Sequence, residues 1–313
     1  MKSFLIIPFM LLAVFKTYSQ EEPIVLKTST CEIKGTLTLP AQKQDIPVVL
    51  IISGSGPTDR NCNQQTLKTN AYKYLADTLQ KLGIASVRFD KRGIGESTEK
   101  DFKEINLRFD TYVEDVKAWV ELLSNDKRFS GIIVAGHSEG SLLGLVASKN
   151  NPKVKGFISI AGAGRAADDI LKEQLASQPQ VVRDIVFPMI DTLKKGDTIP
   201  NVPITLYSLF RPSVQPYMIS WLKYNPQEEI KQISIPILII QGSTDIQISE
   251  TDAELLAKAN PSAKKIIIKN MNHVLKDCDT KEKQVQLVTY NKPELPLNKE
   301  FVKEMVDFIK NIK

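Results

Sequence analysis

The sequence predicts an α/β protein whose mostly parallel sheet is covered by helices on both faces. Two observations carry this expectation. Short apolar runs recur at 47–52, 84–89, 132–135, 157–160, 235–240 and 265–268, most of them rich in Val or Ile, as strands buried on both faces are. Between them lie segments with helical spacing, and the alternation of the two means βαβ units.

Taken in order, the chain opens on Met1-Lys2-Ser3, an apolar run over 4–15 and the polar Lys16-Thr17-Tyr18-Ser19. A run of 12 apolar residues falls short of the roughly 20 needed to span a bilayer, so 1–19 reads as a signal peptide rather than an anchor. Export to a periplasmic or extracellular space is the expectation, with no membrane attachment after cleavage. Segments 24–28 and 33–39 alternate apolar and polar residues and predict antiparallel edge strands. Tyr72, Leu75, Leu79 and Leu82 share one helix face, as do Tyr112, Val113, Val116, Trp119, Val120 and Leu123. A last amphipathic helix carries Phe301, Met305, Phe308 and Ile309. The segment 164–233 breaks the rhythm between two core strands, and a compact domain rarely tolerates a structureless loop of that length. Its helical stretches 168–175 and 181–193 predict a small helical cap, leaving 20–163 and 234–313 as the core.

Composition sets bounds on function. With 313 residues, 42% hydrophobic and 25% charged, the chain is ordinary for a globular protein. Lys2 and Lys16 fall in the leader, so the formal charge of +5 becomes +3 once it is cut. That balance, with no basic run of five or six, gives no reason to expect nucleic acid as a partner. Two histidines and no C-x-x-C or H-x-x-x-H spacing give no reason to expect a metal. Cys62 and Cys278 should fall on the same rim of the fold, where a bridge between them fits an exported protein, although spacing does not fix connectivity.

The strongest local signal is Gly136-His137-Ser138-Glu139-Gly140, set between the strand 132–135 and a helix over 141–149. A G-x-S-x-G segment in this setting presents a serine hydroxyl at a sharp turn above the sheet. Serine is a weak nucleophile and needs a base within hydrogen-bond reach. His137 adjoins it and should point away to pack on a neighbouring strand. His273, in Asn270-Met271-Asn272-His273 after the strand 265–268, is the candidate base. Asp245, closing the turn after 235–240, is the candidate carboxylate, ahead of Asp252, whose helix should carry it away from the edge. The oxyanion of acyl transfer needs backbone donors: the N–H of Glu139, and one from Ser53-Gly54-Ser55-Gly56-Pro57, with Ser55 or Gly54 favoured.

These residues resemble the α/β-hydrolase superfamily, and in particular the exported bacterial esterases grouped with serine aminopeptidase-like hydrolases of the S33 type. The matching segments are 53–60, the turn Phe89-Asp-Lys-Arg-Gly-Ile-Gly-Glu-Ser97, the Ser138 elbow, Gly242-Ser-Thr-Asp245 and Asn270-Met-Asn-His273. The resemblance implies an eight-stranded sheet, a cap inserted after the sixth strand, no cofactor, and structural roles for Asp90 and Arg92. It departs from many relatives in carrying Ser53 where they have histidine.

Three functions follow as expectations. The first is hydrolysis of a small carboxylic ester through an acyl-enzyme at Ser138. A serine peptidase acting on short peptides is the alternative and would need a carboxylate for the substrate amine, with Asp168, Asp169 or Asp184 as candidates; thioester hydrolysis shares the same chemistry. The third is a binding protein without activity, which an intact set of Ser138, Asp245 and His273 argues against.

Overall fold

The computed structural model describes residues 20–42, 44–99 and 101–312. The expected signal peptide lies outside the described residues.

Eight strands form one sheet: β1 (Gln20–Lys27), β2 (Glu32–Leu39), β3 (Ile46–Ile52), β4 (Ala85–Phe89), β5 (Phe129–His137), β6 (Val154–Ile160), β7 (Ile237–Gly242) and β8 (Lys264–Ile268). Their order across the sheet is β1-β2-β4-β3-β5-β6-β7-β8. The pairs β1–β2 and β2–β4 are antiparallel and the rest parallel. Because side chains alternate along a strand, β3 sends Val48, Leu50 and Ile52 into one apolar layer and Val49 and Ile51 into the other. The first layer is closed by Trp119 of α2 (Phe109–Ser124) and Leu143 of α3 (Glu139–Ser148). The second is closed by Leu75 of α1 (Ala71–Lys81) and Phe301 of α11 (Lys299–Asn311). Both faces are thus dry, which explains why the central strands read as unbroken apolar runs.

Between β6 and β7 the chain forms five helices: α4 (Ala167–Leu175), α5 (Gln180–Lys194), α6 (Tyr207–Phe210), α7 (Gln215–Trp221) and α8 (Pro226–Ile230). After β7 come α9 (Glu250–Ala259) and α10 (Lys283–Tyr290). Among the described residues no helix is long and apolar enough to cross a membrane.

Several boundaries differ from expectation for local reasons. The first strand starts at Gln20, since Gln20 through Pro23 pair with β2, and it stops before Thr28, whose hydroxyl and amide turn back to the Cys31 carbonyl. β5 runs to His137, because parallel pairing with β6 continues to Ile160. Leu82 does not share the buried face of α1; it is the helix C-cap and 41% exposed. A two-residue ribbon at 63–64 and 67–68 and helix α10 were too short or too polar to show a period. Cys31, Cys62 and Cys278 are free thiols, so the structure holds no Cys62–Cys278 bridge.

Candidate active site

β5 ends at His137 and α3 begins at Glu139, so Ser138 alone connects them. Its backbone has φ 55° and ψ −123°, a region that residues with a side chain rarely adopt. The turn is held by the Ser138 amide donating to the Ile160 carbonyl at 2.9 Å and the Ser141 amide donating to the Ser138 carbonyl at 2.9 Å. It also needs its glycines: a Cβ on Gly136 would sit 2.1 Å from the Gly140 carbonyl oxygen, and one on Gly140 would sit 2.5 Å from that of Ile52.

Asp245 stands in the turn after β7, buried, with both oxygens occupied. Oδ2 accepts from His273 Nδ1 at 2.8 Å and from Gln241 Nε2 at 3.1 Å; Oδ1 accepts from the amides of Gln247 at 2.7 Å and Ile248 at 3.1 Å. Burial pushes this carboxyl towards a higher pKa, but the charge and hydrogen bond of His273 and the two amides outweigh burial and hold it below the ordinary value. In the tautomer whose Nδ1 donates to Asp245, Nε2 of His273 is the acceptor. His273 and Ser138 line one small cavity of about 90 Å³. Among the described residues, Nε2 and the Ser138 hydroxyl have no hydrogen-bond partner, each other included; bonds of this kind tighten when substrate binds.

His137 does more than pack. Its Nε2 lies 2.8 Å from the His273 carbonyl oxygen, an acceptor only, so Nε2 carries the proton and donates. Nδ1 must then accept, and it does so from the Tyr72 hydroxyl at 2.8 Å, while that hydroxyl accepts from the Gly54 amide at 3.3 Å. Burial, and then the charge of His273, lower the His137 pKa to about 3, which keeps the ring neutral as this chain of bonds requires. The end of β5, helix α1 and the loop after β8 are joined through one imidazole, and Tyr72 carries the link on to the loop after β3.

That bond also sorts the oxyanion candidates. The Gly54 amide is already engaged by Tyr72, whereas Ser55, exposed, lines both cavities beside Ser138. Of the two loop amides expected, Ser55 is the one available. Glu139 is the first residue of α3, where the amide has no acceptor within the helix.

Asp252, the rival carboxylate, is committed elsewhere: it closes a capping box with Ser249 and accepts from the Arg165 guanidinium at 2.7 Å and the Gly164 amide at 3.1 Å. Asp90 accepts from the Arg60 guanidinium at 2.6 Å and the Glu96 amide at 3.0 Å, and Arg92 Nε donates to Asp115 at 2.9 Å, structural ties of the kind the resemblance implies.

A larger cavity of about 570 Å³ opens from Ser138 under the helices between β6 and β7. Its apolar lining includes Leu142, Ile170, Leu171, Val214, Met218 and Trp221. Asp168, Asp169 and Asp184 do not line it; Asp168 is paired with Lys194, and Asp184 accepts from Gln180. The carboxylates that do line it, Glu104 and Glu139, are paired with Arg211 and Lys91.

Tyr72, Lys91 and Gln241 were not singled out from sequence as site residues. Tyr72 belongs to an ordinary helix face, and Gln241 ends an apolar strand; a polar residue inside such a run was the available signal.

The sequence model of the serine aminopeptidase S33 family matches residues 67–200, less than half of the chain. Esterase EstD of Thermotoga maritima is 26% identical over 255 residues, covering 78% of this chain; the chain spans 58% of that relative's length. Among solved structures, Est1E from Butyrivibrio proteoclasticus superposes with a TM-score of 0.60 at 16% identity, over 92% of this chain and 99% of that one. The α/β-hydrolase GrgF from Penicillium sp. sh18 gives 0.62 at 16% identity, over 94% and 99%. Strand order, the serine turn after the fifth strand and these solved structures agree: the chain has the α/β-hydrolase fold.

Proposed function

We propose that the protein is a carboxylic-ester hydrolase that works through an acyl-enzyme, with Ser138 as nucleophile, His273 as base and Asp245 orienting the histidine. The observation that carries this reading is the Asp245–His273 bond of 2.8 Å beside a cavity shared with Ser138, whose backbone is strained and whose hydroxyl is unbonded among the described residues. Ser138 Oγ attacks the ester carbonyl carbon as its proton passes to His273 Nε2, and the carbonyl oxygen becomes an oxyanion facing the amides of Glu139 and Ser55. Collapse breaks the bond to the alcohol oxygen, which leaves with the proton from Nε2. Water then gives a proton to Nε2 and attacks the acyl carbon; the second collapse returns that proton to Oγ and releases the acid.

An ester is favoured over a peptide because both carboxylates lining the larger cavity are already paired, leaving none there for a substrate ammonium. The same pairing suits a neutral, apolar substituent. Export fits this use on small diffusible esters, and N-terminal sequencing of the mature protein from a periplasmic or culture fraction checks it. A panel of p-nitrophenyl esters graded from acetyl to decanoyl, run beside amino-acid p-nitroanilides, tests the reaction. The expected result is ester turnover that disappears in Ser138→Ala while far-UV circular dichroism is unchanged. Turnover of the anilides alone, or turnover surviving in Ser138→Ala, overturns the proposal.

A further inference from the structure

Lys91 and Glu139 form an ion pair of 3.0 Å with both side chains 3% exposed, on the wall of the cavity that Ser138 also lines. Two charges taken out of water need a reason, since a buried pair replaced by apolar groups is often no less stable. The Lys91 ammonium has a second partner, the Gly54 carbonyl oxygen, at 2.7 Å. In a trans peptide the carbonyl oxygen and the following N–H point in opposite directions. Fixing the Gly54 oxygen therefore fixes the Ser55 N–H, and aims it away from Lys91. The adjoining Gly54 lies against the nucleophile, since a Cβ there would stand 3.2 Å from Ser138 Cβ. The other end of the pair, Glu139, is the residue whose own amide opens α3 next to Ser138. One ammonium thus grips the peptide that carries one oxyanion donor and the side chain of the residue that carries the other. It also balances a carboxylate that would otherwise sit uncompensated beside a developing negative charge.

Resting on the esterase reading above, we propose that Lys91 is the positioning residue of the oxyanion hole, holding the Gly54–Ser55 peptide and Glu139 so that both amides face the same oxygen. Lys91 lines the larger cavity, but its ammonium is taken up by the Gly54 carbonyl oxygen and the Glu139 carboxylate, and it acts through these amides. Its loss should therefore weaken the transition state more than the bound ester.

The test compares wild type, Lys91→Met and the double variant Lys91→Met/Glu139→Gln with p-nitrophenyl butyrate and a trifluoromethyl ketone that forms a tetrahedral adduct with serine. The single variant strands a buried carboxylate and risks poor folding; the double variant replaces the pair with a neutral one. Loss of one oxyanion donor costs about 100- to 1000-fold in kcat, and misalignment of a retained donor should cost about 10- to 100-fold. The expected result is a fall of that size in kcat in the double variant, KM within about threefold, and a Ki for the ketone that rises in parallel with the fall in kcat/KM. Circular dichroism and thermal unfolding report that the variant is folded. Wild-type activity with a folded double variant whose kcat and ketone Ki stay within twofold overturns the positioning role alone. Failure of the wild type on every ester overturns both this role and the reading beneath it.

Discussion

At the carboxyl edge of the sheet a single chain of bonds runs past Ser138: Asp245 to His273, His273 through its carbonyl to His137, His137 to Tyr72, and Tyr72 to the Gly54 amide. The helices between β6 and β7 meet the core on different terms. They touch it through separate contacts, such as Ser220 accepting from the Phe109 amide, Tyr224 donating to Asp110, and Arg211 paired with Glu104. They also leave Val181, Ile185, Ile204 and Tyr207 exposed. The edge is a single network in which one change propagates, whereas the helical segment supplies the apolar wall of the larger cavity and can change residue by residue. Under the esterase proposal, reaction type and substrate choice are housed in different parts of the molecule.

Four outcomes would break or sharpen this contrast. The largest effect belongs to the edge: Asp245→Asn should lower kcat about 10⁴-fold, because an amide can hold His273 in the tautomer that has lost its acceptor; steady-state kinetics on a short ester measure it. Next comes acid sensitivity. His137 is held neutral when folded but gains a proton when unfolded, so between its ordinary pKa of 6.5 and about 3 the unfolded chain binds more protons and stability falls as pH falls. Each pH unit in that window should cost up to about 1.4 kcal/mol, and urea unfolding from pH 7 to 4.5 should show the slope shrinking in His137→Gln. A third, smaller effect is expected of Arg165→Ala, which removes two hydrogen bonds from the fully buried Asp252 and should cost about 2 kcal/mol in the same urea assay. The smallest belongs to the helical wall: Leu171→Trp should narrow the larger cavity and reduce kcat/KM for octanoyl over acetyl esters by about tenfold. An equal loss on both esters would show that the wall and the edge are not separable.

The fold was legible because its physics is local. Strands buried on both faces have few alternatives to Val and Ile, as Val48–Ile52 shows, and a serine turn between strand and helix cannot form without the flanking Gly136 and Gly140. Asp245 and His273 were readable from their place after strands of known direction. What stayed hidden was set by partners far away in the chain. That His137 would bridge Tyr72 and the His273 carbonyl depends on α1, the end of β5 and the loop after β8 meeting, and no spacing encodes it. The Lys91–Glu139 pair was equally hidden, because a lysine in a charged turn reads as solvated until the sheet closes over it. The choice between Gly54 and Ser55 needed the Tyr72 hydroxyl, which belongs to a helix read only for its apolar face.

The carboxylate of Asp252 reaches from α9 to the amides of Gly164 and Arg165, where the polypeptide leaves the sheet after β6. Those two residues are thereby anchored to the scaffold, although they begin the helical stretch between β6 and β7. Chimeras that exchange this stretch between relatives should accordingly place the upstream splice after Arg165; cutting sooner would remove the clasp that seats whatever is grafted in.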